Sequence, residues 1–171
     1  NNINSNIRLF ADDCVLYREI LNDFDNKSLQ DDLNTMVNWQ VEWQMYFNVK
    51  KCFTMRFTHS KKPKFFSYKI GNSILQETKN HCYLGVTLTN DLSWNAHINN
   101  ISTTANRTLA FVMRNLNQCP RNIKSNAYKS LVRPLIEYSS SVWDPHTKIL
   151  TNKIESIQRH AARFCLNDFR S

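Results

Sequence analysis

The sequence predicts an α+β fold in which a small sheet comes first and a helical lobe follows it. Short runs of strand-forming residues extend from the first ten positions to Leu88, separated by turn residues and one helical segment. After Ser93 the apolar residues recur with the helical period of about 3.6 residues. Only two glycines and four prolines occur among 171 residues, which favours long helices over a loop-rich architecture.

The first predicted element is a strand–turn–strand unit over residues 7–17. Its apolar residues suit strands, and the polar pair Asp12–Asp13 between them suits a tight turn. A helix is then predicted from an N-cap at Ser28, which has an acid three residues later, to about Phe47–Asn48. We expect one face of this helix to carry its apolar residues, which are Leu29, Leu33, Met36, Val37 and Trp43.

The middle of the chain predicts strands. Residues 53–57 alternate like a strand, and residues 66–70 and 73–75 flank Gly71–Asn72, a good hairpin turn pair. Residues 82–88 predict one further strand.

Three helices are predicted after Ser93. The first ends at Cys119–Pro120, the second carries Pro134, where a kink or an early stop is expected, and the third follows Asp144–Pro145. The expected buried side of the third helix is Ile149, Ile154, Ile157, Ala161 and Phe164. Core packing is favoured over base stacking for all four tryptophans, Trp39, Trp43, Trp94 and Trp143.

Charge is unevenly distributed along the chain. Residues 1–60 hold six Lys and Arg against eight Asp and Glu, whereas residues 61–171 hold sixteen against six. A basic helical lobe is typical of a protein that binds a polyanion, although a merely solvated charged face is the alternative. The five cysteines are scattered singly, as is usual for reduced thiols inside the cell. No apolar run approaches the roughly 18 residues of a membrane helix, so no membrane partner is expected.

The adjacent acids Asp12 and Asp13 need a chemical reason, because neighbouring carboxylates repel each other. A solvated turn is the simple interpretation, since Asp is common in turns. Apolar residues on both sides favour the other interpretation, in which hard oxygen ligands bind a divalent metal for phosphoryl or nucleotidyl transfer.

Phe10-Ala11-Asp12-Asp13 resembles the (Tyr/Phe)-Ala-Asp-Asp signature of reverse transcriptases. Residues 3–166 further resemble, in order, the back half of a non-LTR (LINE-type, jockey-like) retrotransposon reverse transcriptase. The segments that carry this resemblance are Leu33–Trp43, Met45–Cys52, Tyr83–Val86, Asp91–Ile98, Ser130–Tyr138, Val142–Pro145 and Ile157–Phe164.

The resemblance implies a polymerase with palm, fingers and thumb and with two Mg²⁺ ions. Residues 1–78 would be the C-terminal half of the palm, 79–92 a primer-grip-like strand region, 93–146 the helical thumb and 147–171 a C-terminal helix. The implied partners are the phosphate backbone of an RNA template–DNA primer duplex and, in the complete enzyme, a dNTP.

The resemblance also implies roles for single residues. Asp12 and Asp13 would bind metal, and Lys51 would be a general acid for the departing pyrophosphate, with a solvated basic pair as the alternative. The primer grip would be Tyr83, Leu84, Gly85 and Val86, where Gly85 permits close approach of a nucleic-acid backbone or, alternatively, a bulge or tight packing. The thumb residues expected to contact phosphates are Arg107, Arg114, Lys124, Lys129 and Arg133.

The first residue is Asn and not Met, and an alternating apolar stretch begins within the first ten positions, so the chain looks cut from a longer reading frame. The resemblance implies that the family's other essential carboxylate would precede Asn1. We therefore expect the fragment alone to be inactive. A catalytically inert, basic nucleic-acid-binding module is the alternative, as is a decayed element relic that folds poorly. An intracellular location, in the nucleus or the cytoplasm, is expected. Template choice and oligomeric state are left open.

Overall fold

The structure is a computed structural model that describes residues 3–58, 60, 63 and 65–168. The chain divides into two compact units, Asn1–Lys79 and Asn80–Ser171. Both units combine helix with short antiparallel strand pairs, so the predicted mixture of α and β structure is confirmed. Across the described ranges, no helix combines the length and apolar character needed to cross a membrane.

Unit 1 begins with the hairpin predicted around the two acids. Strand β1 (Asn6–Phe10) pairs antiparallel with β2 (Asp13–Tyr17), and the register joins Phe10 to Asp13. Ala11 and Asp12 are therefore the two turn residues. Ala11 has φ of 50°, and a positive φ at the first turn position is a feature of primed hairpin turns.

Helix α1 (Asp23–Trp43) follows the hairpin. The prediction of an N-cap at Ser28 is wrong, because Asn22 and Asp25 form a capping box earlier in the chain. The Asn22 side chain accepts hydrogen bonds from the backbone N–H groups of Phe24 and Asp25, and the Asp25 carboxylate accepts one from Asn22 N–H at 3.1 Å. The predicted end at residues 47–48 is also wrong, since Gln44 is left-handed at φ 56° and ends the helix.

A buried carboxylate on α1 attaches the hairpin to the helix. Asp32 accepts a hydrogen bond from the backbone N–H of Asn4 at 2.9 Å through one oxygen and from that of Ser5 at 2.8 Å through the other. Asp32 is among the most deeply buried side chains of the described residues. The strand that leads to the two acids is thus fixed by Asp32, for which no sequence pattern predicts a role.

The remaining strands of unit 1 are short. A 3₁₀ turn (Val49–Lys51) leads to β3 (Phe53–Thr54), which pairs in parallel with β6 (Gln76–Glu77). The predicted strand over 53–57 is therefore limited to its first two residues. The predicted hairpin at Gly71–Asn72 is confirmed, with β4 (Lys69–Ile70) antiparallel to β5 (Ser73–Ile74).

Unit 2 begins with a second hairpin, β7 (Asn80–Tyr83) and β8 (Val86–Thr89), paired antiparallel. The prediction of one strand over 82–88 is wrong. Leu84 and Gly85 reverse the chain, with φ of 46° and 79°. Positive φ at both central positions is the pattern of a type I′ turn, which matches the twist of the two strands.

The helices of unit 2 are α2 (Asn95–Asn115), α3 (Arg121–Ala127), α4 (Arg133–Glu137) and α5 (Lys148–Leu166). A π-helical turn (Tyr128–Val132) joins α3 to α4. The disturbance predicted at Pro134 is confirmed, because the π turn precedes this proline and the helix ends three residues after it.

Two apolar clusters form the core of unit 2. The larger joins α2, the π turn, α4 and α5, and consists of Ala105, Leu109, Val112, Val132, Ile136, Ile157, Ala161 and Phe164. The smaller joins β8 to α2 and α5 through Val86, Ile98, Trp143 and Leu150. The third helix is thus as predicted except at Ile149, which is exposed, whereas its neighbour Leu150 is buried.

The tryptophans differ from one another. Trp143 is buried, as predicted, and Trp39 and Trp94 are half-buried. The prediction of core packing is wrong for Trp43, because this last residue of α1 is exposed.

Asp32→Ala should lower the free energy of unfolding by about 1–3 kcal/mol, because two backbone N–H groups lose a charged acceptor. Urea denaturation measures this quantity, with Asp31→Ala as the matched control on the exposed side of α1. Equal losses for the two variants would contradict the anchoring role of Asp32.

Candidate functional site

The two acids lie at the tip of the first hairpin, Asp12 in the turn and Asp13 as the first residue of β2. Both are exposed. Among the described residues, neither side chain has a hydrogen-bond or ion-pair partner. The hairpin tip therefore exposes two carboxylates to solvent. Ala11, the first residue of the turn, has a positive φ.

Carboxylate oxygens are the ligands that Mg²⁺ prefers, so the donor chemistry of Asp12 and Asp13 fits this ion. Within the described ranges, however, no cluster of three or more His, Cys, Asp or Glu could hold a metal. The pair can supply ligands to a divalent ion but does not form a complete site with its described neighbours.

The basic pair Lys50–Lys51 lies in the 3₁₀ turn, and both side chains are exposed. Burial raises the pKa of the Cys14 thiol in β2, and electrostatic repulsion from Cys52 raises it further. Lys50, rather than Lys51, lines an open cleft of about 700 Å³ beside Phe47, Cys52 and Phe53.

The second candidate site is the turn of the β7–β8 hairpin, where the four predicted primer-grip residues lie. Tyr83 and Val86 pair across the turn, and Val86 is buried. The Tyr138 ring packs against Gly85: a Cβ on Gly85 would lie 2.9 Å from the ring atom Cε1. Tyr138 also donates its hydroxyl hydrogen to the carbonyl of Leu84 at 3.2 Å. Tight packing, the alternative interpretation of Gly85, is thus present.

His97 holds the same hairpin at its second strand. Its Nδ1 accepts a hydrogen bond from the backbone N–H of Thr87 at 3.2 Å, and burial lowers the pKa of His97. Its ring meets that of Trp143 edge to face at a centroid distance of 5.1 Å. Trp143 in turn donates its indole N–H to the backbone carbonyl of Tyr138 at 2.9 Å.

No sequence pattern predicts a role for His97, Tyr138 or Trp143 in holding this hairpin. Their contacts with it span from 10 residues, for Thr87 to His97, to 54 residues, for Tyr138 to Leu84. Local patterns do not reveal such pairs. Only the interpretation of Gly85 as a site of tight packing indicates one of these contacts, the one with Tyr138.

Two of the predicted phosphate-contacting residues share one side of α2. Arg107 and Arg114 are exposed and two helical turns apart. Phe111 lies between them on the same side and is 57% exposed, a feature that the sequence patterns do not predict. The sequence contains no acidic residue between Asp91 and Glu137, so no acid on α2 itself offsets this basic stripe.

The other three predicted contacts differ in their surroundings. Lys124 is 0% exposed. Its Nζ donates a hydrogen bond to the side-chain oxygen of Asn167 and lies 4.7 Å from the centroid of the Phe164 ring. A surface contact by Lys124 is therefore excluded, because the core of unit 2 encloses it. Lys129 is exposed. Arg133 is half-exposed and pairs with Glu137 at 2.7 Å, which offsets its charge.

Relatives of this chain include the protein described as "RNA-directed DNA polymerase from mobile element jockey" in Drosophila melanogaster and in Drosophila funebris. The first is 27% identical over 139 residues, or 79% of this chain, and the second 27% identical over 141 residues, or 80%. The chain spans about 15% of the length of each. No protein-family model matches the chain. No solved structure matches it.

These similarities confirm the resemblance predicted from the sequence, which is to the reverse transcriptase of a jockey-like non-LTR retrotransposon. They cover most of the chain and therefore both of its units.

Gly85→Ala should destabilise the protein more than Gly71→Ala does. Both glycines have positive φ, so alanine adds about 1–2 kcal/mol of backbone strain at either position. At Gly71 the new methyl group meets open space, whereas at Gly85 it meets the Tyr138 ring. Urea denaturation measures both losses, and a Tyr138→Leu background should remove the excess at Gly85. Equal losses in the parent protein would show that the Tyr138 contact is unimportant.

Proposed function

We propose that this chain is part of an RNA-directed DNA polymerase of a jockey-like non-LTR retrotransposon. Residues 1–78 would belong to the palm, 79–92 to the primer grip, 93–146 to the thumb and 147–171 to a C-terminal helix. The observation that carries the proposal is the exposed pair Asp12–Asp13 at a hairpin tip, in a chain similar over four-fifths of its length to jockey polymerases.

In this proposal Asp12 and Asp13 are ligands of catalytic Mg²⁺. Two bound ions would activate the primer 3′-hydroxyl and stabilise the leaving pyrophosphate. The exposure of both carboxylates and their lack of partners among the described residues support this assignment. The hairpin keeps the two acids adjacent, and Asp32 fixes the strand that leads to them.

Lys51 is proposed as the general acid that protonates the departing pyrophosphate. A lysine serves in this role only when it is close to the leaving group. Lys51 is exposed in the 3₁₀ turn beside Lys50, so its ammonium group is accessible. Lys50 lines the neighbouring cleft and would add positive charge to it.

The partner of unit 2 is proposed to be the RNA template–DNA primer duplex, with a dNTP bound in the complete enzyme. The backbone N–H groups of Leu84 and Gly85 donate to no acceptor among the described residues, which leaves them available to a phosphate oxygen. Arg107 and Arg114 offer charge to successive phosphates along one side of α2. Lys129 is exposed and is a further candidate. Arg133 is a weaker candidate, since Glu137 offsets its charge.

A second candidate function is that of an inert, basic nucleic-acid-binding module or element relic. The absence of any cluster of three metal-binding residues in the described ranges favours it for these 171 residues taken alone. We expect the isolated chain to bind an RNA–DNA duplex in a salt-sensitive manner and not to extend a primer. Extension by the isolated chain in Mg²⁺ would contradict this expectation.

Asp12→Asn, introduced into the polymerase that contains this chain, should reduce primer extension at least about a hundredfold, because metal ligands supply several kcal/mol of transition-state stabilisation. Template binding should change little. Extension of a labelled primer on an RNA template measures the first quantity and a filter-binding assay the second. Asp31→Asn is the control. Unchanged extension by Asp12→Asn would refute the catalytic assignment.

Arg107→Gln should weaken binding of the isolated chain to an RNA–DNA duplex and reduce the slope of log affinity against log salt by about one phosphate contact. Phe111→Ala should weaken binding without changing that slope, because it removes no charge. Fluorescence anisotropy at several salt concentrations measures both, with Lys27→Gln in α1 as the control. A slope that Arg107→Gln leaves unaltered would exclude α2 from the duplex interface.

A further inference from the structure

Three side chains from outside the β7–β8 hairpin converge on it: His97 from α2, and Tyr138 and Trp143 from the segment between α4 and α5. We propose that these side chains, here called the turn clasp, are positioning residues that hold the Leu84–Gly85 turn for contact with a nucleic-acid strand. This inference rests on the proposed function and assigns to it three residues that would not themselves touch the reacting atoms.

Tyr138 acts on the turn itself. Its hydroxyl donates to the carbonyl oxygen of Leu84 at 3.2 Å, and its ring occupies the space beside the bare Cα of Gly85. A carbonyl oxygen carries partial negative charge and would repel a phosphate. Because Tyr138 engages this oxygen, the turn offers the N–H groups of Leu84 and Gly85 with less opposing charge.

Trp143 fixes the backbone from which Tyr138 projects. Its indole N–H donates to the backbone carbonyl of Tyr138 at 2.9 Å. Trp143 is itself buried in the smaller apolar cluster together with Val86 of β8. The Tyr138 backbone is therefore tied to the same cluster that holds the second strand of the hairpin.

His97 attaches that strand directly. It is 1% exposed, and its Nδ1 accepts from Thr87 N–H at 3.2 Å. An accepting Nδ1 carries no proton, so the ring is neutral with its proton on Nε2. The lowered pKa of His97 agrees with this state. Nε2 is buried and has no hydrogen-bond partner among the described residues, so the position of the ring depends on Thr87 and on its edge-to-face packing with Trp143 and Trp94.

The clasp therefore holds the hairpin at two points, the carbonyl of Leu84 and the N–H of Thr87. Val86, buried in the smaller apolar cluster, holds the second strand as well. Two points on opposite sides of Gly85 fix both the position and the direction of the turn. Such a restraint matters for binding, because a turn that is already ordered loses less conformational freedom when a strand docks on it.

Tyr138→Phe tests the clasp most cleanly, since the residue is 57% exposed and the variant loses only a hydroxyl group. We expect the affinity of the chain for an RNA–DNA duplex to fall between about two- and tenfold. The NMR order parameter of the Gly85 amide, measured without nucleic acid, should fall as well. Tyr128→Phe is the matched control, because the Tyr128 hydroxyl has no hydrogen-bond partner among the described residues.

His97 gives a second test with a conservative rescue. His97→Phe keeps a ring between the tryptophans but removes the acceptor, so exchange of the Thr87 amide hydrogen should accelerate and duplex affinity should fall. His97→Asn restores an acceptor near the position of Nδ1 and should recover part of both effects. A role in packing alone predicts the opposite order, with Asn worse than Phe.

The outcomes separate the clasp from the function on which it rests. Loss of Gly85 order together with loss of affinity supports the inference. An unchanged order parameter of the Gly85 amide in Tyr138→Phe overturns the clasp. A reduced order parameter with unchanged affinity for the duplex overturns the role of the clasp in binding. If the parent chain binds no duplex at low salt, the proposed function and the positioning role both fall, while the order parameter still decides whether the clasp holds the turn.

Discussion

The acid pair Asp12–Asp13 and the predicted primer grip each lie at the turn of a two-stranded hairpin. An isolated hairpin of this kind is only marginally stable in water, so each one needs contacts with another element. Helix α1 anchors the first hairpin through the Asp32 carboxylate. The second depends on the imidazole of His97 and the hydroxyl of Tyr138. In both cases a polar side chain distant in sequence binds backbone groups of the hairpin. The metal binding and the nucleic-acid contact proposed for the two hairpin turns therefore depend on residues that take no direct part in either.

The distribution of charge complements this arrangement. The first hairpin carries two exposed carboxylates at its tip, as a cation site requires. In unit 2 the stretch between Asp91 and Glu137 lacks acids, and its exposed arginines on α2 are the best placed to meet a polyanion. Burial removes Lys124 from that set, and ion pairing with Glu137 weakens Arg133. The net charge of a segment thus overstates the number of cations available to a partner.

Features set by turn residues and by helical period are predicted from the sequence, whereas the cap of α1, the turn at Leu84–Gly85 and the distant contacts are not. The hairpins at Asp12–Asp13 and Gly71–Asn72 follow from turn residues between apolar runs, and the long helices of unit 2 follow from their period. The turn at Leu84–Gly85 was missed, because leucine rarely adopts a positive φ and only the paired strands require it there. The start of α1 was misplaced, since Asn22 and Asp25 form a better cap than Ser28. The exposure of Ile149 and the burial of Lys124 depend on how whole helices pack, which no single segment encodes.

The most direct measurement of whether the second hairpin and α2 together bind a nucleic-acid duplex is an NMR titration of the 171-residue chain with a short RNA–DNA duplex. The largest changes in amide chemical shift should occur at Leu84 and Gly85 and along the exposed side of α2 from Arg107 to Arg114. Changes confined to other surfaces, or none at low salt, would contradict the proposal that this turn and this helix form a polymerase's grip on its duplex.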